Sequence, residues 1–297
     1  MTQIDSLDTV RDLIRYAASR FNEAGLFFGH GTDNGWDEAS QLVMHTIHLP
    51  YTLLPSALDA KLTRAEQALI LALIKERVEQ RVPLPYLTHQ AWFAGLSFYV
   101  DNRVLIPRSP IAELIEKRFS PWIAEDNIHS ILDLCTGSAC IAIAAAHYMP
   151  YASVDATDIS QDALAVAEIN LLRHHLEEDI RLFQSDLFSN IPLKQYDLII
   201  TNPPYVDQYD MNSLPPEYQH EPILGLQAGT DGLAYVDRIL KQAKDYLSPH
   251  GLLVVEVGNS EEALLEKYPS LGFIWPEFER GDGGVFILER EALLSVE

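Results

Sequence analysis

The sequence is poor in cysteine, and it has no long apolar run. Only Cys135 and Cys140 occur in 297 residues, which is too few for a disulfide framework and typical of a reduced cytosolic protein. No apolar stretch approaches the roughly 20 residues of a membrane span, and the polar, acidic start at Met1–Asp8 does not look like a secretory signal. We therefore expect a cytoplasmic protein that does not bind membranes.

Positive charge is also scarce, and it is unevenly distributed. The chain has 21 Lys and Arg against 43 Asp and Glu, a net charge of −22. Residues 1–108 carry 10 basic and 12 acidic residues, whereas residues 109–297 carry 11 and 31. An acidic C-terminal part repels phosphate, which argues against stable nucleic-acid binding and favours a basic partner.

Metal-ligand spacing is absent as well. The ten histidines, which include the adjacent pair His174 and His175, are not spaced with the two cysteines as zinc ligands are. No metal site is predicted.

The pattern of apolar residues divides the chain into three predicted regions. Residues 1–80 show helical spacing, with a capping box from Thr63 to Glu66, and are predicted to form a small helical domain. In residues 81–108, Pro83 and Pro85 break the helical pattern and a short hairpin around Gly95 follows, which indicates a linker. Residues 109–297 alternate strands with helices, which predicts an α/β domain with a doubly wound, mostly parallel sheet.

The strands of this sheet are predicted from short apolar runs. They are Ser130–Leu134, Ser153–Thr157, Ile180–Gln184, Tyr196–Thr201 and Leu252–Val257. Helices are predicted over 139–148, 160–175, 231–247 and 260–268, and a further helix from Ser109-Pro110 to Arg118. A terminal hairpin, Phe273–Phe278 and Val285–Leu288 around Gly281–Gly284, is predicted to add an antiparallel strand.

The segment Asn202-Pro203-Pro204-Tyr205 follows the buried strand that ends at Thr201. Its prolines stop the strand and fix the backbone at the edge of the sheet where ligands bind. The Asn202 carboxamide oxygen and the Pro203 carbonyl oxygen can each accept a hydrogen bond, so together they suit a planar NH2 group. A simple Pro-Pro turn is the structural alternative.

Carboxylates follow three successive predicted strands. Asp133 precedes the small-residue turn Cys135–Ala139, Asp158 ends the next strand, and Asp186 follows the third. Asp158 can accept both ribose hydroxyls of a nucleoside, and Asp186 can accept from an adenine amino group. The turn has only Gly137 where a dinucleotide site has three glycines. A cationic nucleoside such as S-adenosylmethionine fits this arrangement.

These motifs resemble those of class I methyltransferases that act on amide or exocyclic amino nitrogens. Closer still, Pro83-Leu-Pro-Tyr-Leu, Val104-Leu-Ile-Pro-Arg108-Ser-Pro and Glu217-Tyr-Gln-His-Glu-Pro222 resemble the protein glutamine methyltransferases over nearly the whole chain. Ser109, where the release-factor enzymes commonly have proline, looks more like the branch that methylates the third large-subunit ribosomal protein.

The resemblance implies a seven-stranded sheet with a terminal hairpin, S-adenosylmethionine as cofactor, and a ribosomal protein as substrate. The implied cofactor-binding residues are Asp133, Thr136, Gly137, Asp158, Ile159, Asp186, Leu187 and Asn202. The implied catalytic residues are Asn202, Pro203 and Tyr205, and the implied substrate-binding residues are Asn202, Pro203, Pro204, Tyr205 and Arg108. For Arg108, an ion pair between the two domains is the simpler interpretation.

The turn also departs from the family pattern. Cys135 and Ala139 replace the usual glycines on either side of Gly137, and each adds a Cβ where the cofactor would pass. The path of this loop is therefore an open question at the level of sequence.

Three alternative functions remain. Methylation of release factors would use the same catalytic residues, and a DNA adenine amino-methyltransferase would present the same NH2 group to Asn202. The −20 charge of residues 109–297 argues against DNA. A non-catalytic adaptor of the same fold is the third.

Overall fold

A computed structural model of the protein describes residues 7–280 and 283–296. Most of the polar start Met1–Asp8 and two residues of the predicted terminal turn, Gly281 and Asp282, lie outside the described residues. No helix within the described ranges has both the length and the apolar character needed to cross a membrane.

The chain divides into two compact units. One comprises Met1–Ala91 and Pro215–His220, and the other comprises Trp92–Leu214 and Glu221–Glu297. The described helices are α1 (Val10–Glu23), α2 (Gly35–Thr46), α3 (Leu54–Ala57), α4 (Arg64–Gln80), α5 (Leu84–Thr88), α6 (Ile111–Glu116), α7 (Cys140–Tyr148), α8 (Gln161–His174), α9 (Gln208–Met211), α10 (Ala234–Tyr246), α11 (Glu261–Lys267) and α12 (Arg290–Leu293). The described strands are β1 (Ala91–Phe93), β2 (Leu96–Phe98), β3 (Ser130–Leu134), β4 (Ser153–Asp158), β5 (Ile180–Gln184), β6 (Tyr196–Thr201), β7 (Leu247–Glu256) and β8 (Val285–Glu289).

The second unit is built on one large sheet, with strand order β5-β4-β3-β6-β7-β8. All neighbouring strands are parallel except β8, which is antiparallel to β7. The chain runs outward from β3 to β5 and then returns to lie beside β3 as β6, so the strand order reverses between β3 and β6. Loops that leave β3 and β6 therefore diverge and open a crevice. The predicted α/β fold with a mostly parallel sheet is confirmed.

Both faces of this sheet are covered. Alternate strand residues point to opposite sides, so Ile131 and Leu198 pack with α6, α7 and α8, whereas Leu132 and Ile199 pack with α10, α11 and α12. Burial on both faces explains why the strands read as nearly continuous apolar runs in the sequence.

The helical unit has its own apolar core, formed mainly by α1, α2 and α4. Thr63 and Glu66 form the predicted capping box at the start of α4, and Thr9 and Asp12 form a second one at α1. A buried ion network lies beside this core, in which Arg77 donates to Glu38 at 2.7 Å and to Glu217 at 3.3 Å. Because an unpaired buried charge is costly, these contacts hold the segment Pro215–His220 within the unit.

The terminal hairpin is only partly formed, which corrects the predicted strand count. Over Phe273–Phe278 only Ile274 bridges to β8, through Ile287. Pro276 lacks an N–H group and stops a ladder at this point. The sheet therefore has six strands in the described part of the chain, where seven were expected.

Several element boundaries also differ from the prediction, and the backbone shows the reason for two of them. Helix α6 ends at Glu116 rather than Arg118, because Arg118 and Phe119 both adopt left-handed backbone conformations, with φ of +49° and +56°. Strand β7 begins at Leu247 rather than Leu252, since its pairing with β6 continues past an irregularity next to Tyr196.

Candidate active site

A cleft lies at the point where the strand order reverses, and two neighbouring loops contribute to it. We call them the β3 loop (Cys135–Ala139) and the NPPY segment (Asn202–Tyr205). They start side by side because Leu134 pairs with Thr201 in the sheet. The cleft encloses about 720 Å³, including its open mouth, and its lining includes Arg103, Cys135, Gly137, Asp158, Ile159, Ser185, Asp186, Leu187, Asn202, Pro204, Leu224 and Tyr235.

The β3 loop is held from below by Asp133, which is fully buried at the end of β3. Asp133 Oδ2 accepts from the Thr136 hydroxyl at 2.5 Å and from the Ala142 amide at 3.1 Å. The Thr136 amide in turn donates to the Thr157 carbonyl at 2.9 Å. Asp133 and Thr136 thus fix the loop and the start of α7, and neither is among the residues lining the cleft.

The second oxygen of Asp133 is buried and has no hydrogen-bond partner among the described residues. Burial, helped by the nearby charge of Asp158, raises the pKa of this carboxyl to about 7, and hydrogen bonds from Thr136 and Ala142 oppose the rise. A carboxyl group in this state can hold a proton near neutral pH.

The β3 loop keeps a glycine-like path despite its side chains. Cys135 and Ala139 adopt left-handed conformations, with φ of +58° and +63°. Gly137 does the same at +56°, and a Cβ added to it would meet no protein atom within 4 Å. Cys135 and Ala139 thus adopt backbone conformations that favour glycine, and their side chains strain the backbone there. Burial raises the pKa of the Cys135 thiol, which stays protonated and is a poor nucleophile.

Asp158 and Ile159 occupy the carboxyl end of β4 and line the cleft. The Asp158 carboxylate accepts from the amides of Gly137 and Ser160, each at 2.9 Å. Its pKa is raised by burial, which outweighs these hydrogen bonds. Ile159 keeps 49% of its surface exposed, so it offers an apolar contact beside the carboxylate.

Asp186 and Leu187 follow β5 and also line the cleft. The Asp186 carboxylate forms an ion pair with Arg238 at 2.8 Å. Leu187 has φ of +51°, and the Ser185 hydroxyl donates to its carbonyl at 2.7 Å. The structure therefore brings Gly137, Asp158, Asp186 and their neighbours together around one space, whereas Asp133 and Thr136 lie outside its lining.

The NPPY segment forms the other wall of the cleft. Asn202 and Pro204 line it, and Pro203 is buried beneath. The Tyr205 ring packs so closely on Gly258 that a Cβ there would lie 2.5 Å from it. The Tyr205 hydroxyl donates to Glu256 at 3.1 Å, and its carbonyl accepts from Ser260. Tyr205 is thus anchored at both ends.

Glu256 is a functional candidate that the sequence reasoning missed. It ends β7, the strand next to β6, and is buried at 4% exposure. It accepts from the Ser109 hydroxyl at 2.5 Å, and the neighbouring Asn202 side chain helps to lower its pKa. Burial raises its pKa to about 7. An acidic residue at the end of an apolar strand was the signal available in the sequence.

Arg108 is engaged in an ion pair within the second unit. Its guanidinium meets both carboxylate oxygens of the buried Glu221, at 2.6 and 2.7 Å. It is not among the residues lining the cleft, whereas Arg103, which the sequence reasoning passed over, is. Arg103 is paired with Asp101 through Nε and Nη2, so its Nη1 edge can meet a ligand. No group of side chains suited to a metal ion occurs in the described ranges.

Comparison with known proteins places the chain among methyltransferases. Residues 119–214 match the model of the methyltransferase small domain. A ribosomal protein uL3 glutamine methyltransferase of Xanthomonas campestris pv. campestris is 54% identical over 98% of this chain and 94% of its own length. The enzyme of the same name from Neisseria meningitidis serogroup B is 52% identical over 98% and 96%.

A solved structure agrees at the level of fold. The hMettl16 catalytic domain, crystallised with a MAT2A 3′UTR hairpin, is 18% identical to the chain. The match covers 76% of this chain and 81% of that one, with a TM-score of 0.50.

Proposed function

The chain belongs to the family of ribosomal protein uL3 glutamine methyltransferases, and on that premise we propose that it transfers a methyl group from S-adenosylmethionine to a glutamine side-chain amide of uL3. The resemblance deduced from the sequence motifs is confirmed by these relatives. The observation that supports the proposal most is that Asn202 and Gly137 line one cleft at the reversal of the strand order.

The cleft suits S-adenosylmethionine in its donors, acceptors and shape. Two carboxylates, Asp158 and Asp186, and one guanidinium, Arg103, line it. These match the hydroxyls, amino group and carboxylate of a nucleoside that carries an amino-acid tail. A Cβ added to Gly137 would meet no protein atom within 4 Å, so the protein leaves room for a ligand beside this glycine. When bound, the cofactor supplies an electrophilic methyl group on a sulfonium centre.

The NPPY segment supplies recognition of the acceptor amide. A glutamine amide nitrogen is a weak nucleophile because its lone pair is delocalised into the carbonyl. The Asn202 carboxamide oxygen and the Pro203 carbonyl oxygen would accept hydrogen bonds from its two N–H groups and orient the nitrogen toward the methyl group. These hydrogen bonds would also favour the positive charge that develops on nitrogen in the transition state, and one of the two protons would leave the methylated nitrogen for solvent. Tyr205, anchored by Glu256, keeps this segment in place.

Charge and composition support a basic protein as the partner. Residues 109–297 carry 11 basic and 31 acidic residues, so a basic ribosomal protein is attracted electrostatically before it docks. We assign selection of the substrate protein to the helical unit and place the reaction in the cytoplasm.

The test is methyl transfer from radiolabelled S-adenosylmethionine to purified uL3, to release factors and to DNA in parallel reactions. We expect label in uL3 only. Label in release factors alone would reassign the chain to the sister activity, and label in DNA would overturn the substrate class. Absence of label from all three would favour a non-catalytic adaptor.

A further inference from the structure

Glu256 sits at the centre of a hydrogen-bonded cluster beside the NPPY segment. Its Oε2 accepts from the Ser109 hydroxyl and its Oε1 accepts from the Tyr205 hydroxyl. The Asn202 side chain lies close enough to the same carboxylate to lower its pKa. Glu256 is thus a neighbour of both the first and the last residue of the NPPY segment.

The sheet brings these groups together. Thr201 on β6 pairs with Val255 on β7, so the residues that follow them, Asn202 and Glu256, leave the sheet side by side. Val254, two residues before Glu256, packs on the face covered by α6, and Ser109 lies two residues before the first residue of that helix. Glu256 therefore points toward Ser109 by the alternation of the strand.

The direction of the Ser109 hydrogen bond follows from its second contact. The Ser109 oxygen accepts from the Ile111 amide at 3.1 Å. A hydroxyl has one proton to donate. Because the Ile111 amide is itself a donor, the Ser109 hydroxyl donates this proton to Glu256.

A carboxamide next to this carboxylate has two possible orientations. An ionised carboxylate only accepts hydrogen bonds, whereas the carboxamide has a donor side and an acceptor side. Asn202 must therefore turn its Nδ2 toward Glu256, which leaves its oxygen for the cleft. The opposite orientation would place an NH2 group against the substrate NH2, and two donors repel each other.

We propose that Glu256, held by Ser109, is the positioning residue that keeps the Asn202 carboxamide oxygen turned toward the substrate amide. The inference rests on the proposed function, because it explains how Asn202 recognises an NH2 group. It also gives Ser109 a physical role: a proline at that position has no hydroxyl to donate.

Protonation of Glu256 would reverse the arrangement. A protonated carboxyl can donate to the Asn202 oxygen and so remove the acceptor from the cleft. Burial raises the pKa of Glu256 to about 7, while Ser109, Tyr205, Asn202 and the positive charge of Arg108 oppose that rise. The active form is the ionised one, so turnover is lost as the pH falls through this pKa. Removing a contact that lowers the pKa of Glu256 raises this pKa, so that turnover is lost already at a higher pH.

The test is the pH profile of kcat on uL3 for the wild type, Glu256→Gln and Ser109→Ala, with KM for uL3 and calorimetric Kd for S-adenosylmethionine measured alongside. The wild type should show an acid limb near pH 7. Glu256→Gln, which has nearly the same shape, should lose about 100-fold in kcat at pH 8 and lose the acid limb, with little change in cofactor Kd. Ser109→Ala should keep most of its kcat at high pH and show the limb at higher pH.

Glu113→Gln serves as the matched control, because it removes a buried carboxylate that holds the backbone of Glu279 and Arg280 outside the cleft. It should leave the acid limb where it is in the wild type. An acid limb that survives in Glu256→Gln, or stays in place in Ser109→Ala, would overturn the inference while leaving the proposed function intact. A wild type that does not methylate uL3 would overturn both.

Discussion

The β3 loop and the NPPY segment start side by side, yet different interactions hold each of them rigid. The β3 loop holds non-glycine residues in left-handed conformations, and a buried carboxylate and backbone hydrogen bonds keep it in place. The NPPY segment is fixed by its own prolines, whose φ is restricted by the ring, and by the contacts of Tyr205 with Glu256 and Ser260. The β3 loop is thus shaped by its surroundings, whereas the NPPY segment is also stiffened by its covalent structure.

This difference predicts that the β3 loop serves cofactor binding, whereas the NPPY segment serves the reaction. Cys135, Gly137 and their neighbours present backbone and small side chains to the cleft, so their effects should fall on cofactor binding. Asn202 presents a specific acceptor, so its effect should fall on turnover. The following predictions test this division, beginning with the largest effect.

Asn202→Ala should lower kcat by about 1000-fold, because it removes an acceptor that orients the amide and favours the charge of the transition state. The calorimetric Kd for S-adenosylmethionine should change little. Asn212→Ala is the control, since Asn212 is an asparagine near the end of α9 whose side chain bonds only locally. Unchanged turnover in Asn202→Ala would remove the proposed role of the NPPY segment.

Gly137→Ala should weaken S-adenosylmethionine on the order of 30-fold, since its Cβ would enter the cleft at a φ that disfavours side chains. The protein should lose only about 1 kcal/mol of stability, because no protein atom lies within 4 Å of that Cβ. Calorimetry and urea denaturation measure the two effects. A large loss of stability with unchanged affinity would contradict the division between the loops.

Arg103→Ala should weaken S-adenosylmethionine about tenfold, because a charge-assisted hydrogen bond to its carboxylate is lost. Binding of 5′-methylthioadenosine, which lacks the amino-acid tail, should not change. Arg173→Ala is the control, since Arg173 lies over the Tyr99 ring outside the residues lining the cleft. Equal weakening of both ligands would mean that Arg103 acts on the nucleoside or on the fold instead.

Cys135→Gly should be more stable than Cys135→Ala by about 1 kcal/mol, because only the glycine relieves the left-handed strain at φ +58°. Both variants lose the thiol but only the alanine variant keeps the Cβ, so their difference in stability measures the backbone strain. Urea denaturation of the two variants provides the measurement. If Cys135→Ala were as stable as Cys135→Gly or more stable, the Cβ at position 135 would not strain the loop.

The sequence predicted those features of the site that depend on single residues and their immediate neighbours in the chain. The carboxylates after three strands, the single Gly137 and the prolines of the NPPY segment are local signals. The fold places Gly137, Asp158, Asp186 and Pro204 around one cleft, whereas Asp133 lies beneath the β3 loop. Periodicity likewise located the strands of the sheet, although it missed that Pro276 would prevent a seventh.

Other parts of the site depend on long-range packing and could not be read from the chain. Glu256 is separated by 147 residues from Ser109, and no local pattern joins them. The left-handed conformation of Cys135 is imposed by Asp133 and Thr157, against the preference of the residue itself. The Arg103 side chain faces the cleft only because of the fold around it.

The measurement that tests the central claim most directly is the chemical position of the methyl group in uL3 after reaction with the wild-type enzyme and S-adenosylmethionine. Tandem mass spectrometry of the proteolysed product locates it. We predict one methyl group on the side-chain amide nitrogen of a glutamine, absent from uL3 treated with Asn202→Ala. A methyl group on lysine, arginine or the main chain would contradict the account, because the NPPY segment is an acceptor for a planar NH2 group.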